Sequence, residues 1–159
     1  MNIITTIQAA LTALNSNAEL FLLERARAEN EELNHTDTVI VVYPDWKSNN
    51  KLSQGIELMK TQIYNIDFKT LDEWDNSDGN LPTAYDSKTS VQRIDEMEVL
   101  ADSIFSYISS QNGLFPEIQE KLKWEMTAPI LRANNGTMSG VSVRLTIVTS
   151  GIRICDFNP

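Results

Sequence analysis

The segment GVSVRLTIV (residues 140–148) alternates with a period of two. Val141, Val143, Leu145 and Ile147 fall on one side, and Ser142, Arg144, Thr146 and Val148 on the other. Successive side chains of a strand point to opposite faces, so the pattern predicts a strand with one buried and one accessible face. A chain built on it must supply the rest of a sheet and a layer that covers the apolar side.

Two segments predict that layer. Near the start, Ile4, Ile7, Leu11 and Leu14 form one helical stripe over Ile3 to Leu14. Its apolar residues are interleaved with Thr and Gln and no Lys or Arg precedes Arg25, which is unlike a secretory signal. The stronger helix is SVQRIDEMEVLADSIFSYI. Ile94, Met97, Ala101, Ile104 and Ile108 make its stripe, Leu100 and Phe105 widen it, Thr89 with Gln92 reads as a capping box, and Gly113 as a C-terminal cap.

Further strands are legible between and after these helices. AELFLLERARAENEELN (residues 18–34) reads as a short strand or turn followed by a helical turn. TVIVVYP is a continuous β-branched run, as expected of a strand buried on both faces, ended by Pro44 and followed by a polar loop, DWKSNNKLSQG. In QIYNIDF, Tyr64, Ile66 and Phe68 alternate with Asn65, Asp67 and Lys69, a strand with one wet face. Residues 72–90, rich in Asp, Asn, Ser, Gly and Pro, read as a long exposed acidic loop.

The C-terminal part reads as β throughout. Ile118, Leu122, Trp124 and Met126 alternate with Gln119, Lys121, Lys123 and Glu125, and Pro129 predicts a bend or an edge position. The turn signal ANNG (133–136) folds this strand back onto residues 140–148 as a long hairpin, and Ser150-Gly151 turns the chain once more into IRIC. At 159 residues the chain fits one domain, 1–159, able to bury about 68–70% of its unfolded surface. The expected class is α+β: a mixed or antiparallel sheet with a long C-terminal hairpin, packed against the N-terminal and central helices.

Candidate chemistry is sparse. If Gly79 of EWDNSDGN held the sixth position of an EF-hand loop, the first and twelfth would be Trp74 and Tyr85, which supply no carboxylate. A solvated turn is preferred there over an irregular cation site. His35, near Asp37, lacks any strand–turn–helix nucleophile elbow and reads as a surface residue before a strand. Cys155, two residues from Arg153, reads as a half-buried structural thiol, and a single cysteine fits a reducing compartment. Asp95, Glu98 and Asp102 read as the solvated face of a helix, and Trp46, Trp74 and Trp124 as packing residues. No cofactor, metal or catalytic residue is expected, and no run approaches the ~20 apolar residues of a membrane span.

Charge layout is the feature that rises above this background. The net charge of −9, with a pI near 4.5, argues against gripping nucleic-acid phosphates as the main task. From Asp67 to Glu98 nine acidic residues stand against three basic; from Lys121 to Arg153 five basic residues stand against one acidic. Such segments either neutralise each other within one subunit or meet head to tail between identical subunits, and a closing rotation then produces a ring. The hairpin from Ile118 to Val148 is the candidate interface, with Lys121, Lys123, Trp124, Arg132, Val143, Arg144 and Ile147 opposite Asp75 and Asp78 of the acidic loop.

Read in order, the N-terminal helix, the run ending Tyr43-Pro44, QIYNIDF leading into TLDEWDNSDG, the long helix and GVSVRLTIVTSGIRIC resemble the tail-terminator or tail-completion proteins of tailed bacteriophages. The last two segments are also similar to short neck proteins of phages infecting Bacteroidetes, including crAss-like phages. The resemblance implies a structural, non-enzymatic virion protein in the neck or at the top of the tail. It implies a hexameric or dodecameric ring of identical subunits contacting other neck or tail proteins, with DNA passing through without sequence-specific binding and no membrane partner. The alternative expectation is a small intracellular, non-enzymatic protein-binding module of a mobile element.

Overall fold

A computed structural model describes residues 3–22, 38–53, 56–71, 87–111, 119–132 and 138–150. These form two helices and five strands in the order α1 (Ile3–Ala13), β1 (Glu19–Leu22), β2 (Thr38–Ser53), β3 (Ile56–Leu71), α2 (Ser87–Ser110), β4 (Gln119–Arg132) and β5 (Met138–Ser150). The strands make one sheet in the spatial order β1-β2-β3-β5-β4. β1 and β2 are parallel and every other neighbouring pair is antiparallel. This is the α+β architecture that the periodicities predict.

The alternation of β5 decides where the core sits. Val141, Val143, Leu145 and Ile147 are all buried beneath α2, joined by Ile40 and Val42 of β2 and by Ile66 and Phe68 of β3. From above come Ile3, Ile7, Ala10 and Leu11 of α1, and Met97, Ala101, Ile104, Phe105 and Ile108 of α2. Each large aliphatic or aromatic side chain buried this way contributes about 1.5–3 kcal/mol. Phe105 stands edge-on to Phe68 (centroids 5.9 Å apart, planes at 86°) and 5.6 Å from Trp124, so one aromatic chain ties the centre of the sheet to its β4 edge.

The stripe of α1 lies about one residue off its expected position. Ile3 and Ala10 are buried and Leu14 is 38% exposed. The helix stops at Ala13 because Asn15 takes a left-handed conformation (φ 53°), with the Asn15 and Ser16 amides donating to the Thr12 and Leu11 carbonyls. That is a Schellman cap, with asparagine in the position usually given to glycine. α2 begins at Ser87, two residues before the expected cap Thr89, which therefore lies within the first turn. Ser87, Thr89 and Ser90 are all plausible caps, so local sequence does not single one out. The expected cap Gly113 lies outside the described residues.

β2 is buried on both faces, as its composition predicts. Ile40 and Val42 face the helices, while Val39, Val41 and Tyr43 form a second buried cluster with Met138, against which Phe21 packs. Pro44 does not end the strand, and residues 45–53 are not a loop: β2 continues to Ser53, opposite Ile56 of β3. Among the described residues β1 pairs with Val39–Val42 and no strand flanks β2 beyond them, a position where a residue without an N–H is tolerated. Nor is the second face of β3 simply wet. Lys69 is 4% exposed, because in register it lies beside Val39 and Gly140 at the second cluster.

The hairpin of β4 and β5 is antiparallel as expected, and β4 is an edge strand with a register shift between Met126 and Ala128, next to Pro129. A bulge, a proline and outward-facing lysines are features that keep an edge strand from unspecific pairing. The ANNG turn, the acidic loop up to residue 86, the helical turn expected after β1, and the IRIC segment with Cys155 lie outside the described residues, as do His35 and the side chains of Trp46 and Trp74.

Candidate subunit-interface face

The helices cover one side of the sheet. On the other side, over β3, β5 and β4, the strand alternation leaves side chains accessible. Lys121, Lys123 and Glu125 of β4 are exposed; Arg144 of β5 is exposed between partly exposed Ser142 and Thr146; Thr61, Ile63 and Asn65 of β3 are partly exposed. In register Lys121 stands opposite Val148, Lys123 opposite Thr146 and Glu125 opposite Arg144. Arg144 is thus the diagonal neighbour of Lys123, about 7–8 Å away, and Lys121 follows Lys123 on the same face of β4, so the three share one basic patch with Glu125 at its edge.

Two short-range contacts set the electrostatics of this face. The Arg144 guanidinium approaches the Glu125 carboxylate at 3.9 Å, with both side chains about half exposed, a contact worth little in water. The Ser142 hydroxyl donates to Asp67 Oδ1 at 2.6 Å, placing that carboxylate on β3, two strands from β4. Neither Lys121 nor Lys123 pairs with a described acidic residue. On the helix-covered side, burial pushes the Tyr64 phenol above its ordinary pKa and holds it neutral.

Of the residues expected at an interface, the sheet therefore brings together Lys121, Lys123 and Arg144. Trp124 is on the opposite side: it packs on Phe105, and its indole N–H donates to Asp102 Oδ1 at 2.8 Å. Val143 and Ile147 are corrected outright. Both are fully buried in the chain's own core beneath α2 and present no surface to a neighbour. The backbone of Arg132 ends β4; its side chain, and all of Asp75 and Asp78, lie outside the described residues. Sequence reading missed Thr61, Ile63 and Asn65 as members of this face. Their alternation was visible, but only strand order sets β3 beside β5.

The Trp124–Asp102 bond ties edge strand β4 to α2. Trp124→Phe, which keeps the ring packing, is expected to cost about 0.5–1.5 kcal/mol. Asp102→Ala should cost a similar amount, and the double variant should cost less than the sum, as read by urea unfolding.

Acidic residues occupy the far side of the helical layer. Asp95 and Glu96 are exposed on α2 and Glu98 is partly exposed, with Arg93 bonded to Glu96 at 2.7 Å; Asp102, also exposed, sits on the flank toward β4 with Trp124. The described acidic helix and the described basic hairpin thus face opposite directions, with the sheet and its core between them. Two ion pairs among the described residues are local, Arg93 with Glu96 on α2 and Arg144 with Glu125 across the hairpin. Among the described residues no group of three or more His, Cys, Asp or Glu could hold a metal ion, and no helix is long and apolar enough to cross a membrane. No protein-family model matches the chain and no curated protein matches its sequence.

Proposed function

We propose that this chain is a structural, non-enzymatic subunit of a ring in the virion of a tailed bacteriophage, at the head–tail neck or the top of the tail. The observation that supports it best is the two-sidedness of the fold. Helices close one side of the sheet and carry acidic charge outward, while the other side keeps an open face on a long hairpin carrying Lys121, Lys123 and Arg144. Surfaces of opposite sign on opposite sides of one subunit favour head-to-tail contacts, which make a ring where the rotation between copies closes. The resemblance in element order to tail-terminator and tail-completion proteins points the same way. A net charge of −9 suits a channel that DNA traverses without sticking.

The reading is tested by native mass spectrometry and sedimentation velocity of the purified chain from about 0.05 to about 1 M salt, over which the Debye length falls from roughly 14 to 3 Å. A discrete hexamer or dodecamer that loosens with salt is the expected result. A ring indifferent to salt would remove charge from the assembly mechanism. A monomer at every salt and protein concentration would overturn the ring and favour a binding module that uses the same sheet face for another protein.

A further inference from the structure

The outward side of α2 is not uniformly polar. Val99 is 65% exposed and Val91 54% exposed, and both lie among exposed Asp95, Glu96 and Asp102. At 100° per residue Asp95 and Val99 fall on the side of α2 directed away from the core residues Met97, Ala101 and Ile104, while Asp102 lies on the flank toward β4, where it accepts from the Trp124 indole. An exposed, regular helix gains nothing in its own fold from a valine at position 99. The open sheet face has the converse composition: Ile63 and Val148, partly exposed, stand beside Lys121, Lys123 and Arg144.

From this complementarity we infer that the occupant of the open sheet face is the α2 stripe of a second copy of this chain. The inference rests on the ring reading and names its contact. Among the described side chains of α2, Asp95, Glu96 and Glu98 stand against Arg93, and a fourth carboxylate, Asp102, is held by Trp124. Among the described side chains of the open face, Lys121, Lys123 and Arg144 stand against Glu125 and Asp67, the latter bonded to Ser142. Val99 and Val91 cover the apolar ground of Ile63 and Val148, while Asp95 and Glu96 meet Lys121 and Lys123. The contact is heterologous: each copy offers its helix to one neighbour and its sheet to the other. Neither surface can satisfy its partner within the same chain, because they face opposite ways.

Charge reversal tests the contact on exposed positions that leave the core intact. The sheet variant carries Lys121→Glu with Lys123→Glu, and the helix variant Asp95→Lys with Glu96→Lys; circular dichroism and thermal melting establish that both remain folded. Each variant alone should self-associate about tenfold more weakly than the natural chain, or worse, in sedimentation velocity at low salt. An equimolar mixture should assemble again, since every helix then finds a sheet of opposite sign. Variants that assemble alone as the natural chain does, or a mixture that stays dissociated, would overturn this contact while leaving a ring standing. Charge-sensitive association into open chains would uphold the contact and overturn the ring. A natural chain that never self-associates overturns both.

Discussion

Val143→Asp is expected to abolish the cooperative unfolding transition of this protein, and Ile147→Asp to do the same. Val143 has no exposed surface, lies between Ile66 of β3 and Met126 of β4 in register, and belongs to the core beneath α2. A carboxylate placed there has no cation to meet. It either remains ionised in an apolar layer or takes up a proton, and each choice costs several kcal/mol on top of the lost packing. Domains of this size are stable by only about 5–15 kcal/mol, so the loss consumes most or all of the margin. The neighbouring Arg144→Asp, on the open face and opposite Glu125, should cost no more than about 1 kcal/mol. Thermal and urea unfolding followed by circular dichroism reads both. If Val143→Asp melted like the parent chain, β5 would not be facing the way described.

Gly140→Ala is expected to cost at least about 3 kcal/mol, the upper end of what overpacking does, because the obstacle is main chain. A Cβ at this position would collide with the carbonyl oxygen of Phe68 and lie 2.8 Å from its carbonyl carbon and 3.0 Å from Lys69 Cα. Those atoms belong to β3, which is paired with β5 across Lys69 and Gly140 and held on the other side by β2. The strand cannot yield without opening the ladder. The need for glycine here is one of space between strands, since its backbone is not in the left-handed region. A urea midpoint within experimental error of the parent would show that β3 and β5 can part locally at no cost.

α2 and β5 were legible because each carries an unbroken period over many residues, and a long period has one efficient way to be buried. The distal half of β2 was not. Pro44 followed by Lys, Ser and Asn is what a loop looks like, and the same residues suit a sheet edge whose outer side stays in water. Lys69 misled in the opposite sense: its place in an alternating strand implied solvent, while its register beside Val39 put it under the second cluster. Val143 and Ile147 were expected at an interface although their own alternation marked them for the core.

The sequence by itself determined the class of fold, the helical stripes, the alternating hairpin, and the separation of acid from base along the chain, because these depend only on local periods and composition. Tertiary structure alone decided the strand order β1-β2-β3-β5-β4, the grouping of Lys121, Lys123 and Arg144 on the side away from the helices, and the placement of Asp95 and Val99 on the opposite surface. Which distant strands become neighbours, and which way each charge then points, follows from burying both helices on one side of a shared sheet. No local pattern encodes that choice, because the contacts that make it join residues as far apart as Asp67 and Ser142.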